Sequence, residues 1–376
     1  MGQTILKEDL VDDGEVPVYS ATESGVIFGR IDKPKVQLNA GDIVIPARGV
    51  SIGYPVLIKE RSTSTQTTIY TKLLDHKAVH TPYVYYFMSG HRNDLFYYDR
   101  TAIPQITVEQ VESNPLLLPP MSEQRAIADF LDAETAKLDA LMAKRRELIE
   151  KLKEKRSALI SCTVTRGLPP DAARAAGLNP NPKPKPSGIE WLGGIPEHWD
   201  VVRIGRKITL QRGVDITKEE QNEGSVPVVS SGGISSFHDK ALARGPGVIV
   251  GRKGTAGAVY YIESDFWPHD TTLWVREFGN NFPKYVYYKL CSMDLESFDT
   301  GSSNPTVNRN LVHPVRVSWP PEPEQRAIAD YLDRETNKID RMVTKVQEAI
   351  ERLREYRIAL ITAAVTGKID VRKLAA

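Results

Sequence analysis

Cysteine is nearly absent: Cys162 and Cys291 are the only two in 376 residues. Lying in different segments, they exclude a disulfide framework and a cysteine zinc site, and they fit a reducing cytoplasm. No apolar run is long enough to span a bilayer, and the N-terminus lacks the basic, apolar and small-residue succession of a signal peptide. A soluble, cytoplasmic protein with no membrane partner is therefore expected. Charge of one sign is missing too. The 49 Lys+Arg residues against 48 Asp+Glu leave a formal net charge of +1, with residues 1–118 slightly acidic and 119–168 slightly basic. Such a balance does not advertise nucleic-acid binding, so any basic surface must be local or supplied by a partner.

Catalytic signatures are missing as well. No phosphate-binding G-x-x-x-x-G-K-[ST] loop occurs, and Gly251-Arg252-Lys253-Gly254-Thr255 resembles one only superficially. Asn179-Pro180-Asn181-Pro182 lacks the aromatic residue of an Asn/Asp-Pro-Pro-aromatic methyltransferase motif. The seven histidines are scattered, and His269-Asp270 has no nucleophile to serve. A chain with no catalytic residue, no metal site and no cofactor of its own is expected.

What is present is a repeat. PPMSEQRAIADFLDAETAKLD from Pro119 recurs as PPEPEQRAIADYLDRETNKID from Pro320, and the offset of 201 holds to Val164-Thr165 against Val365-Thr366, with 27 of 47 positions identical. So long a period is a tandem duplication, not a solenoid. Each shared segment reads as a helix. Apolar residues fall at Ile127, Leu131, Leu138, Leu141, Leu148, Leu152 and Leu159, then at Ile328, Leu332, Ile339, Met342, Val346, Ala349, Leu353, Tyr356 and Leu360. Steps of three and four are the seam of a coiled coil, although ordinary core helices would show a related pattern. Glu134 and Glu335 are expected at inward seam positions that fix register. About 40 helical residues give a rod of roughly 60 Å, and two rods with matching seams can pair.

The chain therefore divides into globular segments at 1–118 and 195–319, helical segments at 119–168 and 320–376, and a proline-rich linker at 169–194. The linker's proline density is expected to forbid helix and sheet and to leave an extended tether. The two globular segments share a pattern: Val16-Pro17-Val18-Tyr19 with Val226-Pro227-Val228-Val229, GDIVIPARGVSIGYPVLI from Gly41 with GPGVIVGRKGTAGAVYYI from Gly245, and YVYY at 83–86 and 285–288. Short β-rich runs between glycines, followed by a Tyr-rich element, indicate an α+β fold without βαβ alternation.

If two such domains read different DNA half-sites, shared residues should be scaffold or phosphate contacts, and differing residues should carry specificity. Arg48 and Arg252 occupy the same place after a buried strand, as phosphate contacts or members of structural ion pairs. Val50-Ser51-Ile52 corresponds to Gly254-Thr255-Ala256, so Ser51 and Thr255 are specificity candidates, with Lys253 a further candidate beside the second loop. Gln66-Thr67 corresponds to Asp270-Thr271, where Gln suits adenine and Asp suits cytosine N4. Gln105 corresponds to a loop with Asn304, Asn308 and Arg309, either base-reading groups or an Asn-rich turn.

The paired PPxxEQRAIADxLDxET segments, the SGIEWLGGIPEHW entry into the second globular segment, and two divergent domains between them resemble type I restriction–modification specificity subunits along essentially the whole chain. That resemblance implies two target-recognition domains, helices packed as an antiparallel coiled coil, and a bipartite double-stranded DNA target. It also implies two methyltransferase (modification) subunits bringing S-adenosylmethionine, and a restriction–translocase subunit using ATP and Mg. An adaptor serving methylation alone, a coiled-coil protein-interaction scaffold and a nuclease are the competing classes. In one respect the chain departs from its own repeat. The second domain spends Ile195 to Ser225 before VPVV, whereas the first reaches VPVY at Val16, so a match to IPEHWDVVRIGRKITLQR is missing ahead of it. The first domain is expected to be shortened at its leading edge, to have a misassigned start, or to have that element supplied from elsewhere.

Overall fold

The structure, a computed structural model, describes residues 1–22, 25–96, 104–299 and 306–371. The first globular segment forms strands β1 (Val16–Tyr19), β2 (Ile27–Ile31), β3 (Ile43–Pro46), β4 (Val56–Leu57), β5 (Thr63–Ser64) and β6 (Thr68–Thr71). Helices α1 (Thr81–Gly90), α2 (Arg92–Leu95) and α3 (Val108–Ser113) precede the long α4 (Met121–Arg166) and the short α5 (Pro170–Ala175). Next come β7 (Pro184–Pro186), β8 (Gly194–Pro196), β9 (Asp200–Arg203), β10 (Thr209–Arg212), β11 (Val226–Ser230), β12 (Gly233–His238) and β13 (Gly247–Gly251). The order closes with β14 (Val259–Ile262), β15 (Trp267–Pro268), β16 (Thr272–Glu277), α6 (Pro283–Cys291), α7 (Arg309–Val312), β17 (Arg316–Trp319) and the long α8 (Glu322–Val365).

By contact, the chain forms two units, Met1–Glu147 with Val346–Ala376, and Leu148–Lys345. The linear partition of the sequence is thus not the partition by contact, because each unit holds part of both long helices. The units repeat one plan. A mixed sheet β2-β1-β5 recurs as β12-β11-β15, its middle strand antiparallel to one neighbour and parallel to the other. The register shift after Val18 recurs after Val228. An antiparallel sheet β4-β3-β6 recurs as β14-β13-β16. Strands β3 and β13 are buried at every position, which is why they read as unbroken apolar runs rather than alternation.

The equivalence reaches Gly2-Gln3, whose amides donate to Thr68 and Ser64 carbonyls as those of Gly213-Val214 donate to Thr272 and Pro268. A Cβ on Gly2 would lie 2.2 Å from the Thr65 carbonyl oxygen and one on Gly213 2.1 Å from that of His269, so both positions require glycine. Beyond that point the units differ. The second adds β10 to the outer edge of β16 and pairs β9 with β17, and the first has no counterpart of β9 or β10 among the described residues.

The helical seam is shifted from the one expected. Ile127, Leu131, Ile328, Leu332, Ile339 and Leu360 are buried, and Leu138, Leu152, Leu159, Val346 and Leu353 are half-buried. Leu141, Leu148, Met342 and Tyr356 are exposed instead, and Met142, Ile149 and Ile350 take the buried places. Leu141, Leu148 and Met342 each adjoin an apolar residue, and either neighbour satisfies a three-four step; packing selects the member that is buried. Nor do Glu134 and Glu335 point inward. They pair along the surface with Lys137 and Lys338, while the buried polar positions belong to Thr135 and Thr336. Each threonine hydroxyl donates to a carbonyl four residues back, Leu131 and Leu332, at 2.6 Å, so its burial leaves no unmet donor.

Within the first unit the Arg357 guanidinium meets Asp139 at 3.2 Å, and within the second Arg156 meets Asp340 at 2.9 Å. Each pair joins the two long helices inside its own unit. The same repeat-related residues serve both contacts. These pairs are partly exposed, and Arg357→Asp is expected to cost the first unit up to about 1 kcal/mol. Adding Asp139→Arg should recover most of it in a double-mutant cycle read by denaturant unfolding; no recovery would mean the pair contributes nothing.

The linker is not an unstructured tether. Pro170 opens α5 at a first-turn position, where the missing amide is not needed. Lys185 pairs with Ile195 in the β7–β8 hairpin, its flanking prolines lying opposite Pro196 and Gly194. Proline alternation leaves the one N–H that this short edge pairing uses.

Candidate nucleic-acid interface

In each unit three chain segments are stitched together at one end of the antiparallel sheet. In the second, the amides of Arg252 and Lys253 donate to the Thr271 carbonyl at 2.8 and 3.1 Å, and the Val307 amide donates to the Arg252 carbonyl at 3.0 Å. In the first, Ala47 donates to the Thr67 carbonyl and Ile106 to the Ala47 carbonyl, both at 2.9 Å. Because backbone groups hold the cluster, its side chains can differ without loss of the scaffold. Here the sequence-expected residues Arg48, Thr67 and Gln105 meet, as do Arg252, Lys253, Asp270 and Thr271.

Their side chains behave differently in the two units. In the first, Arg48 Nη2 donates to Gln105 Oε1 at 2.8 Å. Gln66 is exposed and accepts from the Thr4 hydroxyl, and the Thr67 and Thr65 hydroxyls lie 2.7 Å apart. In the second, Arg212 at the end of β10 reaches Asp270 Oδ2 at 2.7 Å. Arg252 has a buried Nη1 with no hydrogen-bond partner among the described residues. Desolvation and then the neighbouring Arg212 charge both lower its pKa, against a smaller opposing pull from Asp270. Two guanidinium groups around one carboxylate leave unmatched positive charge and a free donor. An anionic oxygen, or the paired acceptors of a guanine edge, matches that deficit. Lys253 and Thr255 stand exposed on the adjoining loop.

Three expectations need correction or limitation. Ser51 is buried and its hydroxyl donates to the Ala21 carbonyl at 3.0 Å, so it is a loop brace and only Val50 of its triplet is exposed. Asn308 caps α7 by accepting from the Asn310 amide at 2.9 Å, as Thr107 caps α3 through Gln110. Asn304 lies outside the described residues. Arg309 is exposed and donates to the Leu210 carbonyl at 3.4 Å, back toward β10. Neither Arg48 nor Arg252 forms an ion pair among the described residues.

Sequence reasoning missed Arg212, His269 and Asp215. His269 Nδ1 lies 3.1 Å from the Thr271 hydroxyl and its Nε2 lies 3.4 Å from Asp215. Asp215, His269 and Asp270 are close enough together to hold a metal ion, but Arg212 already engages Asp270 and Thr271 engages His269. Arg212 and Asp270 are 58 residues apart, so no local spacing could have joined them.

A second feature is also duplicated. A groove of about 540 Å³ in the first unit is lined by Tyr85, Tyr86, Asp132, Thr135, Asp139 and Arg357 among others. One of about 640 Å³ in the second has Tyr287, Tyr288, Asp333, Thr336, Asp340 and Arg156 in the matching places. Tyr86 donates to Asp132 at 2.6 Å and Tyr288 to Asp333 at 2.5 Å. Burial, then these carboxylate bonds, push both phenol pKa values well above normal, so both remain donors.

Comparison with known proteins returns one family. Residues 1–151 and 196–352 match the model of the type I restriction modification DNA specificity domain. The type I restriction enzyme MjaVIII specificity subunit of Methanocaldococcus jannaschii is 21% identical over 382 residues, covering 92% of this chain and 83% of the relative. A structure solved for complex assembly and conformational transition of a type I R-M system aligns with a TM-score of 0.62 at 16% identity, over 93% of this chain and 91% of the other. The S subunit of a type I restriction–modification system from M. genitalium gives 0.42 at 18% identity, over 96% and 92%. No helix among the described residues is long and apolar enough to cross a membrane.

Proposed function

We infer function from one premise: the chain belongs to the type I restriction modification DNA specificity family, whose model matches most of its length in two segments. Its role is DNA specificity in such a system, and the reading that follows extends that role. Each unit reads one half of a bipartite double-stranded target through its three-segment loop cluster. The observation that carries this reading is the contrast between one backbone scaffold and two side-chain sets: Arg48 with Gln105 in one unit, Arg252 with Arg212 and Asp270 in the other. A shared scaffold with different polar groups is what two half-sites of different sequence require.

The chain contributes no catalytic group. S-adenosylmethionine, ATP and Mg belong to partner subunits, and the assembly works in the cytoplasm. The duplicated Tyr–Asp–Thr groove supports two modification subunits, one on each unit, because a repeated surface binds a repeated partner. The near-neutral charge of the chain agrees with partners that supply much of the phosphate contact.

The test is to reconstitute the chain with its modification subunit and titrate duplexes altered in one half only. Altering either half should weaken binding by roughly 1–3 kcal/mol per mismatched base pair. If one half can be changed without effect, the unit facing it does not read sequence.

A further inference from the structure

One cavity of the second unit belongs neither to the loop cluster nor to the duplicated groove. It measures about 340 Å³ and is walled by the ends of α4 and α6, by β17 and by the loop that carries Trp191. The repeat shows what opens it. In the first unit Gly90 of α1 lies directly against α8: a Cβ there would come within 3.2 Å of Thr362 Cα, and the Thr362 hydroxyl donates to the Gly90 carbonyl at 3.0 Å. The equivalent residues of the second unit are Ser292 and Ser161, and both line the cavity. Phe87, in the apolar core of the first unit, is replaced at the equivalent position by Lys289. Lys289 is almost wholly buried in the cavity wall. Its Nζ is held 3.3 Å from the Val164 carbonyl of α4 and 3.4 Å from the Ser318 hydroxyl of β17, next to the lining residues Thr165 and Val317. Both bonds are long for a charged donor, and an ammonium has three N–H groups, so at least one finds no acceptor among the described residues. Met293, Phe298 and Val317 make much of the remaining lining apolar. Asp294 is the only other ionisable residue of the lining; it is exposed and forms no ion pair with Lys289 among the described residues.

We propose that this cavity is a binding site for a small monocarboxylate with an apolar body, its carboxylate paired with Lys289 and its body against Met293, Phe298 and Val317. The carboxylate supplies the acceptor that the ammonium lacks and neutralises a charge already withdrawn from water. A single cation calls for a single negative charge, and a phosphate dianion would bring unmatched charge toward Asp294. A few placed polar groups in a mainly apolar pocket orient a ligand of mixed character, whereas a bare inorganic anion gains nothing from the apolar walls. Trp191, exposed on the adjoining loop, offers an aromatic face and an optical reporter. A ligand held only by the folded chain stabilises it by mass action. The site is particular to the second unit, since Phe87 stands in place of the lysine in the first, and it is independent of which DNA sequence is read.

The probe is 3-phenylpropionate, titrated into the full chain by calorimetry and followed by tryptophan fluorescence. Saturable binding is expected near pH 6.5 with a Kd below about 1 mM. 3-Phenylpropanamide, the same body without the charge, should bind at least about tenfold more weakly, and so should the carboxylate to Lys289→Met. The fluorescence change should vanish in Trp191→Phe while calorimetric binding persists. Burial holds the Lys289 pKa at about 7 in the free protein, with no charged neighbour contributing, and the ligand pairs with the protonated form. Affinity should therefore fall about tenfold per pH unit above about 7 and level off below it, the ligand's carboxylate being ionised throughout. The amide comparison and the pH profile need no variant, and the unfolding transition of Lys289→Met shows that it is folded. Absence of binding, equal affinity for the amide, undiminished binding by Lys289→Met, a fluorescence change that survives Trp191→Phe, or an affinity indifferent to pH overturns the proposal.

Discussion

Arg252→Ala is expected to lower the affinity of the assembled complex for its cognate duplex roughly 10- to 100-fold, a loss of about 1–3 kcal/mol. The buried Nη1 without a partner and the adjoining Arg212 mean that free Arg252 sits among groups that disfavour its charge. An acceptor from DNA relieves both at once, so the effect should exceed that of an exposed lysine such as Lys253. The form of the loss identifies the acceptor. If Arg252 holds a phosphate, binding weakens equally for all sequences and the slope of log K against log salt falls by about one. If it reads guanine, the slope changes little and discrimination at one base pair relaxes. An Arg252→Ala complex with unchanged affinity would remove Arg252 from the interface. Because its backbone, not its side chain, stitches the loop cluster, the substitution should leave the unit folded.

Lys289→Met should stabilise the second unit by roughly 4 kcal/mol near neutral pH. Lys289 lies on α6 and is 1% exposed. Its Nζ finds only the Val164 carbonyl at 3.3 Å and the Ser318 hydroxyl at 3.4 Å. It lines a cavity of about 340 Å³ together with Asp294, yet forms no ion pair among the described residues. Burial alone lowers its pKa from 10.5 to about 7. Between those values the unfolded chain holds a proton that the folded chain has released. Stability therefore rises as pH rises from about 7 toward 10.5, and the cost of the buried charge is fully present below about 7. Denaturant unfolding across this range should show the rise in the natural protein and a flatter profile in Lys289→Met. The first unit already carries the apolar solution, Phe87, at the equivalent position. A variant less stable at pH 7, or a profile unchanged by the substitution, would show that Lys289 is well solvated or well paired.

The sequence alone determined the duplication, the two long helices and the α+β character of the globular segments. These signals are local or exactly repeated: a three-four periodicity, glycine-punctuated strands, a fixed offset. It also marked Arg48, Thr67, Gln105, Arg252, Asp270 and Thr271 as candidates in separate loops, because comparing the repeats marks equivalent loops; only the fold brings each set together. Tertiary structure decided the rest. Leu141 against Met142, and Leu148 against Ile149, are indistinguishable by hydrophobicity, and only packing chooses which neighbour is buried. Ser51 reads as a polar loop residue until the Ala21 carbonyl, 30 residues away, accepts its hydroxyl. Arg212 enters the recognition cluster because β10 joins β16 through backbone bonds that its sequence does not announce. The missing match ahead of the first domain was visible as an offset. That the corresponding stretch of the second unit pairs with β17 and β16 could be seen only once the strands were laid side by side, since pairing between strands far apart in the chain leaves no local signal.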